Sequence, residues 1–210
     1  MPELSGISFG ETVSQTGKTD IIGTAVLTAV GSGYPTYTQN KEKQMNPKRL
    51  TKIAAVAAIY TVISLVLAPF SYGPIQVRIA EALTLLPLIW KPGIIALTLG
   101  CFLTNFIGVA MHATGPIDIV VGTLATFLAA VCTYKLKDRK VKGIPVLAIL
   151  MPVLFNGVFV GLELAWILNP GQMWPMALIY GLQVAAGELI SVIIGWFIIR
   201  QLDKTELFKE

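Results

Sequence analysis

Residues 174–200 read WPMALIYGLQVAAGELISVIIGWFIIR, a run holding one carboxylate, Glu188, and one cation, Arg200, at its far end. At about 1.5 Å per residue, such a run crosses the roughly 30 Å hydrocarbon core of a bilayer as a single helix. Working back toward the N-terminus, the same reading predicts helices over 144–168, 116–136, 93–111, 76–90 and 49–69. The expected fold class is an all-α membrane protein, a six-transmembrane-helix bundle. Pro69, Pro74, Pro92, Pro116, Pro145, Pro170 and Pro175 fall at the junctions, where proline is best tolerated. Pro87 and Pro152 lie inside predicted helices and predict kinks there.

Composition agrees. The chain is 54% hydrophobic and 13% charged, about half the charge of an ordinary soluble domain. A net charge of +4 invites a nucleic-acid reading, but the cations sit between apolar segments rather than along one face. Lys48, Arg49, Lys52, Lys91, Lys135, Lys137, Arg139, Lys140, Lys142, Arg200, Lys204 and Lys209 all fall on one side if both termini are cytoplasmic. Only Arg78 falls on the other, so the positive-inside rule gives the expected orientation.

Residues 1–44 are of another kind, rich in Ser, Thr and Gly, with one apolar stretch, Ile21 to Val30, too short to span a bilayer. They are expected to be a disordered leader, or to precede a true start at Met45, leaving 45–210 as the membrane domain. Gly17-Lys18-Thr19 resembles the end of a phosphate-binding loop, but Thr12 stands where the earlier glycine is required. Cys101 and Cys132 lie in apolar segments without metal-ligand spacing, and the chain has one histidine. Neither a disulfide nor a metal is expected. With no Ser/His pairing and no HExxH, an enzyme is not expected either.

The ionisable residues inside the apolar segments are the informative ones. Arg78, Glu81, Asp118, Glu163 and Glu188 each cost about 2.5–3.5 kcal/mol near the bilayer centre, so each predicts a cavity or a partner. Arg78 and Glu81 are three apart, which on a helix puts them on one face. His112, Asp118, Asn169, Gln172 and Trp174 belong to the same outer end, predicting a polar pocket open to the outside. Cys101, Asn105, Gly108 and His112 share a face of their helix. So do Asp118, Gly122, Ala125 and Ala129; Asn156 and Glu163; and Ala177, Gly181, Ala185 and Glu188. Small residues let helices approach, and a polar residue on such a stripe faces the bundle. Glu188 lies roughly 20 Å below the outer start of its helix, where a structural and a functional role are both open. Ala54 and Ala58 form an AxxxA that suits either internal packing or docking of another membrane helix.

The run Ser71-Tyr72-Gly73-Pro74-Ile75-Gln76-Val77-Arg78-Ile79-Ala80-Glu81-Ala82-Leu83-Thr84-Leu85-Leu86-Pro87 resembles the hallmark segment of the QueT family. These are the substrate-binding S components of energy-coupling factor (ECF) transporters assigned to queuosine precursors. Gly100-Cys101, Thr104-Asn105 and the segment from Asp118 to Thr126, followed by the basic loop, extend the resemblance over about residues 45–202. It implies a six-helix S component of the bacterial plasma membrane with no cofactor and no catalysis of its own. It also implies partners: a transmembrane coupling protein, which Ala54 and Ala58 would dock, and two cytoplasmic ATPases.

The implied ligand is 7-aminomethyl-7-deazaguanine (preQ1). Its guanine edge presents adjacent N–H donors that one carboxylate accepts, and its aminomethyl cation calls for a second. On this expectation Glu81 and Glu163 are the ligand carboxylates, and Asn105, Gln76 and Asp118 complete the polar lining. Arg78 donates to the ligand's O6 or holds Glu81, and Tyr72, Trp166 and Trp174 offer stacking faces. The alternatives are an S component for another vitamin-like nutrient and, behind it, a solitary proton-coupled carrier using Glu188.

Overall fold

The structure, a computed structural model, describes residues 46–68 and 78–209. The expectations for residues 1–44, and those for Tyr72 and Gln76, lie outside the described residues. Five helices among the described residues are long and apolar enough to cross a membrane: α1 (Pro47–Val66), α2 (Gly93–Ala110), α3 (Asp118–Leu136), α4 (Val146–Leu168) and α5 (Met173–Leu202). A single 3-10 turn, Pro170–Gln172, precedes α5. Local sequence sets the ends. Asn46 caps α1 by accepting the Lys48 N–H at 3.1 Å, and Pro47 takes the first helical position, where its missing donor costs nothing.

The segment expected as a helix over 76–90 is different in kind. It is a 3-10 helix, Ile79–Leu88, ten residues that cover only about 20 Å. Pro87 has no N–H to give an α-helical ladder, and the Thr84 hydroxyl donates to the Glu81 carbonyl at 2.5 Å. Ala80, Glu81, Ala82, Thr84, Leu85, Leu86 and Pro87 are all buried, because this thin helix touches each of the five long ones. On one side α5 meets it backbone to backbone: a Cβ at Gly195 would collide with the Ala82 carbonyl.

Around this centre α1 packs on α2, α2 on α3, α3 on α4, and α4 on α5. The last contact runs on glycine, since a Cβ at Gly161 would stand 2.5 Å from the Gly181 Cα. Pro152 interrupts α4 and deprives the Ala148 carbonyl of its helical donor; the Thr133 hydroxyl of α3 supplies one at 3.0 Å. Apolar side chains such as Ile59, Val62, Phe106, Leu154 and Phe197 are exposed on the outside of the bundle, the surface a lipid-facing protein presents. Beyond α5 the chain turns back, setting Phe208 against Trp90 with ring centroids 5.0 Å apart, while the Lys52 ammonium donates to the Leu207 carbonyl.

Candidate functional site

Where α1, the start of the 3-10 helix and α2 meet, a pocket is lined by Tyr60, Ser64, Arg78, Thr104, Asn105 and Thr114, among others. Glu81 lies behind it, 1% exposed. The Tyr60 hydroxyl donates to Glu81 Oε1 at 2.5 Å, the short end for an O–H···O bond, while Oε2 has no partner. Tyr60 sits on the buried stripe Ile53, Val56, Ala57, Tyr60 of α1. Gly100 of α2 leaves room for its ring, for a Cβ there would lie 3.0 Å from Tyr60 Cδ1.

Arg78 is not on the helix it was expected to share with Glu81. Its backbone is extended (φ −91°, ψ 93°) just ahead of the 3-10 helix, so the three-residue spacing does not make the expected face. Its guanidinium instead reaches α3, with Nη2 4.0 Å from Asp118 Oδ2, and its side chain is a third exposed. The Arg78 carbonyl accepts from the Ser191 hydroxyl at 3.0 Å, roughly 27 Å along α5 from Met173 by helical rise. The 3-10 helix therefore starts beside the middle of α5 and not beside its first turn.

Asn105 and Asp118 come together as expected from their stripes. The Asn105 amide donates to the Asp118 carbonyl at 2.9 Å. Gly122 makes this possible: a Cβ there would stand 2.7 Å from Asn105 Nδ2 and 2.8 Å from Asp118 Oδ1. Asp118 also opens α3, where the N-terminal dipole favours a carboxylate. Glu163 of α4 is buried as well. Asn156, expected to share a helix face with Glu163, donates to Glu188 Oε1 at 2.7 Å. Of the four buried carboxylates, Glu81, Asp118, Glu163 and Glu188, Asp118 is the one paired with Arg78. Each of the four retains one oxygen with no hydrogen-bond partner.

Trp174 does not join this group. It is 74% exposed, over an apolar groove between α4 and α5, and Trp166 is exposed as well. Ala54 and Ala58 are exposed on the face of α1 away from the bundle. Cys101 is buried and accepts from the Thr126 hydroxyl at 3.3 Å. Among the described residues no group of three or more His, Cys, Asp or Glu is arranged to hold a metal ion. Sequence reasoning missed Tyr60, whose only signal was its place on a helical stripe of buried residues. It also took Gly122 for packing alone.

Comparison with known proteins adds two matches. The family model described as QueT transporter matches residues 50–204. The queuosine precursor transporter QueT of Lactococcus lactis subsp. cremoris (strain MG1363) is 32% identical over 165 residues, which cover 74% of this chain and 92% of that protein. No solved structure matches the chain.

Proposed function

The chain belongs to the QueT transporter family, and from that premise we propose that it is the substrate-binding membrane subunit importing a queuosine precursor, 7-aminomethyl-7-deazaguanine, with an ATP-driven ECF module. The observation that carries this reading is the surplus of buried carboxylate: four buried acidic side chains, each with an unpartnered oxygen, and one of them, Asp118, paired with Arg78. A buried charge without a partner is costly, and a cationic ligand rich in N–H donors relieves that cost. The deazaguanine offers both, a guanidine-like edge for one carboxylate and an ammonium for another.

In this reading Glu81, held at one oxygen by Tyr60, accepts from the ligand with the other. Glu163 and Asp118 form the second acidic wall, and Asn105 and Arg78 complete the lining. Both termini are cytoplasmic, following the positive-inside asymmetry. The exposed Ala54 and Ala58 of α1 dock the coupling protein, with small side chains permitting close approach. Energy comes from the two partner ATPases.

The test is equilibrium binding on the purified chain without ATP or partners, comparing the aminomethyl-deazaguanine with its cyano relative, guanine, riboflavin and biotin. Tight and selective binding of the aminomethyl compound is expected. Failure of a monodisperse preparation to bind any deazaguanine would overturn the substrate assignment and leave the helical fold untouched.

A further inference from the structure

At the end of the bundle away from Asp118, the C-terminal ends of α3 and α5 and the loop joining α3 to α4 enclose a second pocket of about 290 Å³. Its cations are Lys137, Lys140 and Arg200. Among the described residues none of the three has a carboxylate within 4.0 Å, although Asp138 and Asp203 line the same pocket. Aromatic rings hold two of them in place: Lys137 Nζ lies 4.5 Å from the Tyr134 ring centroid, and the Arg200 guanidinium 5.8 Å from that of Trp196.

The loop wall is built rather than loose. Val141 and Ile144 exchange backbone hydrogen bonds of 2.9 and 3.0 Å across Lys142 and Gly143, both at positive φ (51° and 82°). That is the geometry of a tight two-residue hairpin turn, and it favours glycine at the second position. Leu88, Trp196 and Ile199 supply the apolar part of its lining. Exposed Val146 and Leu147 follow it on α4, and exposed Phe197 flanks it on α5.

We propose that this pocket binds the headgroup of an anionic phospholipid, a phosphodiester bearing hydroxyl groups such as phosphatidylglycerol. Lys137, Lys140 and Arg200 meet the phosphate, as basic pockets between membrane helices do. Asp138 and Asp203 accept from the headgroup hydroxyls, which explains carboxylates in a basic pocket that leave its cations unpaired. The neighbouring apolar side chains receive the acyl chains, a feature that free phosphate would not need.

The experiment uses the purified, delipidated chain, titrated with phosphatidylglycerol in mixed micelles, with phosphatidylcholine in the same micelles, and with inorganic phosphate. Phosphatidylglycerol is expected to saturate at one per chain, and phosphatidylcholine and millimolar phosphate to leave it in place. Lys137→Gln with Arg200→Gln should weaken binding roughly thirtyfold, and Lys140→Gln alone about fivefold, at the usual strength of a basic side chain at an anionic surface. The single variant, on an exposed loop, keeps the test alive if the double one does not fold. Lys48→Gln with Lys135→Gln removes equal charge outside the pocket and should change affinity less than twofold. Equal losses in both double variants would reduce the effect to diffuse surface charge and overturn the proposal. So would displacement by inorganic phosphate, or equal binding of phosphatidylcholine.

Discussion

Replacing Tyr60 by Phe removes one oxygen and keeps the ring that packs over Gly100. Glu81 would then have two unpartnered oxygens where it now has one, in a position 1% exposed. Hydrogen bonds to charged groups contribute about 1.5–3 kcal/mol, and a buried acceptor left unsatisfied costs a similar amount. Part of that loss falls on the unliganded fold. The part that falls on the complex is the freedom of the carboxylate to rotate away from the ligand edge. Taking about 1.4 kcal/mol for the complex, Kd for the aminomethyl-deazaguanine should rise about tenfold. Isothermal titration on monodisperse protein measures this directly. The cycle with Glu81→Gln isolates the mechanism, because once that substitution is in place the loss of the hydroxyl should cost less than about threefold. A Kd within twofold of wild type for Tyr60→Phe, or an undiminished loss when it is combined with Glu81→Gln, would refute the idea that Tyr60 acts through Glu81.

Three further outcomes follow from the geometry. Gly122→Ala should drive Asn105 from its bond to the Asp118 carbonyl and weaken ligand binding by about tenfold, a loss of one good hydrogen bond, as read by the same titration. Thr133→Val should strand the Ala148 carbonyl opposite Pro152 and destabilise the bundle by about 1–3 kcal/mol, visible as a lower unfolding temperature with ligand affinity unchanged. Trp174→Ala should leave Kd within twofold of wild type, since the side chain stands outside the polar group; a large loss would return it to the site.

The long helices were legible because twenty or so apolar residues between prolines and cations leave few alternatives in a bilayer. The ends of α2 and α4 fall within two residues of expectation. The 3-10 helix was not legible as such. Its apolar residues fit an α-helix of the same length, and Pro87, the Thr84–Glu81 bond and the close backbone of Gly195 accompany the thinner form. The misplaced Arg78–Glu81 face has the same origin, for spacing translates into a face only where the backbone is helical. Asn105 and Asp118 were legible as bundle-facing residues because both sit on small-residue stripes. Tyr60 escaped because its partner is 21 residues away in sequence and a tyrosine in an apolar helix resembles any other core aromatic. The depth at which the Arg78 carbonyl meets Ser191 depends on where the chain enters the bundle, which composition does not encode.

The 3-10 helix also ties the proposed site to the order in which the chain is made. Among the described residues, Glu81 belongs to the second element to leave the ribosome, yet the groups that back this element, Ser191 beneath the Arg78 carbonyl and Gly195 against Ala82, belong to the last. Until α5 has entered the membrane, the short helix has no wall on that side, and its weak three-residue hydrogen bonding cannot hold it alone. A nascent chain ending before α5 therefore contains both residues of the Tyr60–Glu81 pair but lacks the backbone wall behind the short helix. On the proposed reading of Glu81, competence to capture substrate arrives with the final helix.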